Sequence, residues 1–125
     1  MTLQELYLEI DGSYEQATRV LRIDKLIDKH IRRFPNNTIF DDLNKAISTM
    51  DGTALFESAH AIKGVCSNLG LLTCANQASL ITEEYRSGNS RKMSDEEVKK
   101  IGNEIIEYFN RVSKLIKKYE SENNI

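Results

Sequence analysis

The chain has 125 residues, of which 40% are hydrophobic and 29% charged, as in one ordinary globular domain. Its formal net charge of −2 gives no general attraction to nucleic acid or to anionic lipid. It has no apolar run near the roughly 18 residues of a membrane span, and its N-terminus does not resemble a signal peptide. We therefore expect a cytoplasmic protein with neither nucleic-acid nor membrane partners.

The N-terminal part predicts short helices. Thr2 and Glu5 have the spacing of a capping box, and Asp11-Gly12 ends the helix that they begin. Ser13 begins a second helix that runs to about Phe34. Its apolar stripe recurs at threes and fours and includes Val20, Ile23, Leu26, Ile27, His30, Ile31 and Phe34. His30 is accordingly expected to be a partly buried packing residue.

The middle of the chain predicts three further helices. Pro35-Asn36-Asn37 interrupts the pattern, and a helix follows from Thr38 to Met50. Thr53 is the predicted N-cap of the next helix, which extends to about Leu69. After a short break, Thr73 is the predicted cap of a helix over residues 75–85.

The C-terminal part predicts one long helix after a loop at residues 87–90. Ser94 and Glu97 form another capping-box pattern, and apolar residues follow at helical spacing as far as Tyr119. Three lysines are expected near the C-terminal end of this helix, where the helix dipole favours cations, and these are Lys114, Lys117 and Lys118. Because no strand-like alternation competes, the sequence predicts an all-α, antiparallel four-helix bundle with short additional N-terminal helices, as a single domain over residues 1–125.

One helix carries a surface that needs a chemical explanation. At 100° per residue, His60, Gly64 and Ser67 share a stripe, with Lys63 slightly to one side. The opposite arc is apolar and consists of Leu55, Ala59, Ile62, Val65, Cys66 and Leu69. The imidazole is therefore expected to face solvent from a helix anchored on its other side.

Gly64 strengthens this interpretation. Glycine in a helix interior costs roughly 1 kcal/mol relative to alanine, so its presence needs a compensating gain. The most direct gain is clearance, since a missing Cβ lets a second protein or a bulky anion approach His60.

These residues also carry a family resemblance. The run His60, Ile62, Lys63, Gly64, Asn68, Leu69 and Gly70 resembles the signature of histidine-containing phosphotransfer (HPt) domains of bacterial phosphorelays. The likeness extends over about residues 24–119, which it implies to be the core of the bundle. It implies that His60 is the phosphoacceptor. Asn68 and Gly70 are expected to serve the end of the helix through local bonds and a left-handed cap.

The chemistry of the groups agrees with a carrier. A neutral imidazole is a nucleophile near pH 7, and Lys63 can offset the charge of a transferred phosphoryl group. The chain has neither a phosphate-binding glycine loop nor acidic residues spaced for Mg²⁺, so we expect no enzyme activity, no metal and no cofactor of its own. The resemblance implies that a hybrid histidine kinase and the receiver domain of a response regulator are the partners, and that Mg²⁺ is bound only in the receiver.

Three neighbours of the stripe have alternative interpretations. Thr82 stands where family members often place Glu or Gln, so its hydroxyl could orient His60 by a hydrogen bond. Arg86, on the same predicted face, is either a solvated arginine or a contact for phosphate or for an acidic partner. Phe56 is either the rim of the core or a docking contact.

The two cysteines of the chain are eight residues apart. Cys66 and Cys74 lack the spacing of a zinc site or a redox motif and are expected to be buried thiols.

The alternative functions are a helical adaptor that binds a receiver without phosphoryl transfer, and the phosphoacceptor domain of a chemotaxis-type kinase. No dimerisation or ATP-binding segment follows Ile125, which favours a stand-alone carrier, and we expect it to be a monomer.

Overall fold

The regular structure is helical throughout residues 1–123, the part of the chain that the computed structural model describes. The helices are α1 (Leu3–Glu9), α2 (Tyr14–Leu21), α3 (Asp24–Arg33), α4 (Ile39–Thr49), α5 (Gly52–Asn68), α6 (Leu72–Glu84) and α7 (Asp95–Asn123), with a 3₁₀ turn at Phe34–Asn36. The all-helical prediction is confirmed. No helix in this range combines the length and apolarity needed to cross a bilayer.

Both predicted capping boxes and the predicted helix start at Ser13 are confirmed, whereas the predicted N-caps Thr53 and Thr73 are wrong. In the capping box of α1, Glu5 N–H donates to Thr2 Oγ1 at 3.1 Å and Thr2 N–H donates to the Glu5 carboxylate at 2.9 Å. Ser94 and Glu97 make the same reciprocal pair at 3.1 Å. The α5 N-cap is Asp51 and not Thr53, because the Asp51 carboxylate accepts the N–H of Thr53. α6 begins at Leu72, before Thr73, and has no side-chain cap.

The predicted helix over residues 13–34 is two helices. Arg22 has a φ of +75° and ends α2, and α3 begins at Asp24. The apolar period of the sequence continues across this break, but the break changes which residues are buried. Val20, Ile23 and Leu26 are consequently 40%, 54% and 37% exposed, whereas Ile27 and Ile31 are fully buried.

The four longest helices enclose the main core. α5 packs against α4 and α6, and α7 packs against the same two helices, so each of the four has two neighbours. α4 and α7 approach closely at Gly102, where a Cβ would lie 2.3 Å from Ile47 Cδ1. Phe34, Phe40 and Phe109 form an aromatic cluster, in which the Phe40 and Phe109 rings stack with centroids 4.2 Å apart.

α7 continues to Asn123, so the lysines expected at its end lie before its last turn.

Hydrogen bonds join the N-terminal segment to the C-terminal end of α5. Tyr7 Oη donates to Leu69 O and Ser13 N–H donates to Gly70 O, both at 2.7 Å. Gly70 has a φ of +75°, and a Cβ there would lie 2.2 Å from Ser13 O. This junction therefore requires glycine, and it places α2 beside α5.

A buried carboxylate organises the connection between α6 and α7. The Glu84 side chain accepts the backbone N–H groups of Lys92 and Met93 and the Nε–H of Arg91, the last at 2.7 Å. Burial raises the pKa of this carboxyl, but the hydrogen bonds outweigh that effect and leave the pKa below its ordinary value. The ionised form of Glu84 therefore stabilises the loop.

Candidate functional site

α5 presents His60 to solvent because its other face is in the core. Leu55, Ala59, Ile62 and Cys66 are fully buried, and His60 and Gly64 are exposed. The predicted division of the helix is thus seen in the structure, with Val65 half-buried at its edge. Within residues 1–123 the His60 ring makes no hydrogen bond and no ion pair.

The His60 imidazole is flanked by an aromatic ring that the sequence analysis did not connect with it. Phe56, one turn earlier on α5, is half-buried, and its ring lies parallel to the imidazole, with an interplanar angle of 5° and centroids 5.6 Å apart. Offset stacking of this kind limits rotation of the imidazole without using either ring nitrogen. The four-residue spacing of Phe56 and His60 indicates in the sequence that they are neighbours on the helix. Only the rotamers show that their rings stack.

Gly64 leaves open space beside His60. Apart from Lys63, Val65 and the helix's own backbone, no atom of residues 1–123 lies within 4 Å of an added Cβ. Gly70 and Gly102 differ, since a Cβ at either position would collide with a neighbour. Nothing in the packing of residues 1–123 therefore accounts for Gly64, which is consistent with the clearance inferred from the sequence.

Arg86 lies over one ring of this pair and is itself paired with a carboxylate. The Arg86 guanidinium lies over the Phe56 ring at 5.4 Å, and Arg86 Nε–H donates to Glu83 Oε2 at 2.8 Å. The hydrogen bond from Arg86 lowers the pKa of Glu83, and the charge of Lys63 lowers it further. Lys63 is itself half-buried one turn after His60. The Arg86 side chain is thus 41% exposed and paired with Glu83, a neighbour that the sequence analysis missed.

Thr82 has a different place from the one expected. Its side chain is fully buried, and its hydroxyl donates to Ala78 O at 2.8 Å within α6. The hydroxyl proton is therefore used by the helix backbone, which corrects the expectation that Thr82 orients the imidazole by donating to it.

The remaining motif residues complete the end of α5. Gly70 N–H donates to Ser67 O and Leu71 N–H donates to Cys66 O, which is the pattern of a Schellman motif with glycine in the left-handed position. Ser67 is half-buried on the His60 stripe. The Asn68 side chain is exposed and makes no hydrogen bond within residues 1–123, so the expected local bond from Asn68 is wrong.

The two thiols are buried, as expected. Cys66 and Cys74 lie in contact with a sulfur–sulfur distance of 3.3 Å. The hydrogen bond with Cys74, together with burial, raises the pKa of the Cys66 thiol and keeps it protonated. Residues 1–123 contain no group of three or more His, Cys, Asp or Glu side chains placed to hold a metal ion.

Comparison with known families now identifies the fold and the motif together. A family model described as the Hpt domain matches residues 36–114, which include α4, α5, α6 and most of α7. The chain belongs to the Hpt domain family. Neither the curated proteins nor the solved structures include a significant match to it. Membership implies histidine phosphotransfer in two-component phosphorelay signalling, with the Hpt domain as a phosphoryl carrier.

Proposed function

We propose that His60 is the phosphoacceptor of this Hpt protein, taking a phosphoryl group from an aspartyl-phosphate receiver domain of a hybrid histidine kinase and passing it to a response regulator. The observation that carries the proposal is the exposed imidazole, which makes no hydrogen bond to any residue that the structure describes, beside the open space at Gly64. The only other histidine, His30, is half-buried in a cleft.

The chemistry requires little from this chain. A neutral ring nitrogen of His60 attacks phosphorus, the bond from phosphorus to the aspartyl oxygen breaks, and the carboxylate leaves with the electron pair. The phosphorylated imidazolium can then lose its remaining N–H proton to solvent. Transfer to the next aspartate reverses these steps, with its carboxylate as the nucleophile. Mg²⁺ would be supplied in the receiver's own site, and the carrier supplies the nucleophile and its position.

The supporting roles follow from charge and shape. Lys63 and Arg86 would offset the charge of the phosphoryl group, Gly64 would admit the receiver, and Ser67 would lie at the edge of the contact. Arg86 lies over the Phe56 ring and pairs with Glu83, and Lys63 is one turn after His60 on α5. We assign Thr82 no contact with phosphate, since it is buried.

We also propose that the whole chain is one Hpt domain, with an antiparallel bundle made by α4, α5, α6 and α7. The pairwise contacts of these four helices support it. The N-terminal helices α1, α2 and α3 are additions to that bundle. A monomer would expose His60 to two partners in turn.

Label transfer tests the assignment. A receiver domain carrying radioactive aspartyl phosphate is incubated with the chain, and acid-labile, alkali-stable label is expected on wild type and on His30→Gln but not on His60→Gln. Label that survives His60→Gln would eliminate His60 as the acceptor. Receiver binding without label, and equal in wild type and His60→Gln, would instead indicate an adaptor.

A further inference from the structure

The helices that precede the family match expose three large apolar residues close together in the sequence. Val20, Ile23 and Leu26 are large apolar residues within seven positions, and all three are exposed around the break between α2 and α3. Such residues cost free energy in water unless something covers them, and clusters of them typically mark an interaction surface. We call these three residues the apolar edge.

The same segment is strongly basic in a chain of net negative charge. Residues 19–33 contain six lysine and arginine residues against two aspartates. Asp28 accepts from Arg32, and Asp24 accepts from the Tyr14 hydroxyl. Four of the cations form no side-chain ion pair or hydrogen bond within residues 1–123, and these are Arg22, Lys25, Lys29 and Arg33. The unpaired charge selects a partner surface that is acidic.

A cleft joins this segment to the helix that carries His60. It has a volume of about 210 Å³ and lies between α2, α3 and the C-terminal half of α5. Its apolar wall includes Leu21, Phe34 and Val65, and its polar lining includes Arg33 and Asn68. Neither of these two polar side chains has a hydrogen-bond partner within residues 1–123. An acidic side chain beside an apolar one fits this lining.

The cleft is within reach of a partner that is docked on His60. Asn68 is eight residues after His60, which is about 12 Å along the helix axis and about 80° around it. A protein interface covers about 800 Å² on each partner, which corresponds to a disc of about 16 Å radius. A receiver centred on His60 would therefore cover Asn68 and meet the cleft.

We propose that the apolar edge and the cleft with Arg33 form the part of the docking surface that selects the receiver, and that its occupant is an acidic, amphipathic surface of that receiver. The inference rests on the proposed function, because it needs a receiver that approaches His60. The family match begins at residue 36, so this surface is formed mainly by helices that the match does not include. It would distinguish the cognate receiver from others that fit the common bundle.

The test measures receiver binding in the full chain. The probe is the receiver domain that transfers label fastest to wild type, and its Kd is measured for Arg33→Glu and Leu26→Ser. Matched controls are Lys99→Glu on α7 and Leu8→Ser on α1, since both residues are exposed. We expect Arg33→Glu to weaken binding about tenfold or more, Leu26→Ser severalfold, and the controls less than twofold. Arg33→Glu should also reduce the salt dependence of Kd.

A second readout separates this proposal from the proposed function. Phosphorylation of His60 by phosphoramidate needs no receiver, so its rate should be unchanged in all four variants. Unaltered Kd values for Arg33→Glu and Leu26→Ser, with His60-dependent transfer intact, would overturn the docking surface alone. Absence of label on His60 from every receiver would overturn the relay, and the docking proposal with it.

Discussion

Gly64 offers the sharpest prediction, because the fold and the proposed relay make opposite demands on it. A Cβ at this position meets no atom within 4 Å beyond its chain neighbours and the helix backbone, so alanine should fit without strain. Alanine is about 1 kcal/mol better than glycine in a helix interior. Gly64→Ala should therefore raise the free energy of unfolding by about 1 kcal/mol, and Tm by about 4 °C in a domain of this size.

Partner access should change in the other direction. Reacting atoms must come within about 3–3.5 Å, and Gly64 lies only about 6 Å along the axis from His60, so a receiver that reaches the imidazole must also cover Gly64. Gly64→Gln places a long side chain in that contact while keeping good helix propensity. We expect at least a tenfold fall in kcat/KM for transfer from a phosphorylated receiver, which is about 1.4 kcal/mol.

The assay combines urea unfolding with two kinds of phosphorylation. Transfer from the receiver should fall in Gly64→Gln, whereas phosphorylation by phosphoramidate should stay close to the wild-type rate. Asn103→Gln, at an exposed position of α7, is the control for added bulk. A loss of stability in Gly64→Ala would show that the backbone needs this glycine. Receiver transfer at the wild-type rate in Gly64→Gln would refute the clearance argument.

Three further predictions concern charge and packing. Glu83→Gln removes the carboxylate that pairs with Arg86, so it should move the transfer equilibrium severalfold toward the phosphorylated chain, measured as the distribution of label against the receiver. Gly70→Ala should cost about 2 kcal/mol or more in urea unfolding, since its φ is positive and its Cβ would collide with Ser13 O. Glu84 has a lowered pKa, so it stabilises the fold above its ordinary pKa of 4.5, and that contribution is lost as pH falls through the lower folded-state pKa. Stability should fall more steeply in acid for wild type than for Glu84→Gln, and parallel curves would contradict this.

The sequence allowed the His60 surface to be predicted because it depends on one helix alone. Spacings of three, four and seven residues determine which side chains share a face, whatever the rest of the fold does. The capping boxes at Thr2 and Ser94 were predictable for the same reason, since each is made within four residues.

The errors arose where the outcome depends on packing between elements, on the backbone of one residue or on rotamers. The burial of Thr82 depends on how α6 is rotated against its neighbours, which its spacing from His60 does not determine. The apolar period continues through Arg22, so the break between α2 and α3 had no signal in the pattern. The stack of Phe56 on His60 depends on two rotamers, and Glu83 became relevant only when Arg86 was seen to turn back toward α5.

The charges near His60 suit reversible transfer better than tight retention of phosphate. Exposed ion pairs contribute about 0.2–1 kcal/mol each, so Lys63 and Arg86 together could favour the phosphorylated state by at most about 2 kcal/mol, or about 30-fold. Glu83 pairs with Arg86 and so reduces that gain. A buried, fully paired phosphate site would hold the group more strongly and slow its departure to the next aspartate. In the proposed relay, exposure of His60 and competition from Glu83 keep donor, carrier and acceptor close in free energy, so the partners' relative concentrations can set the direction of transfer.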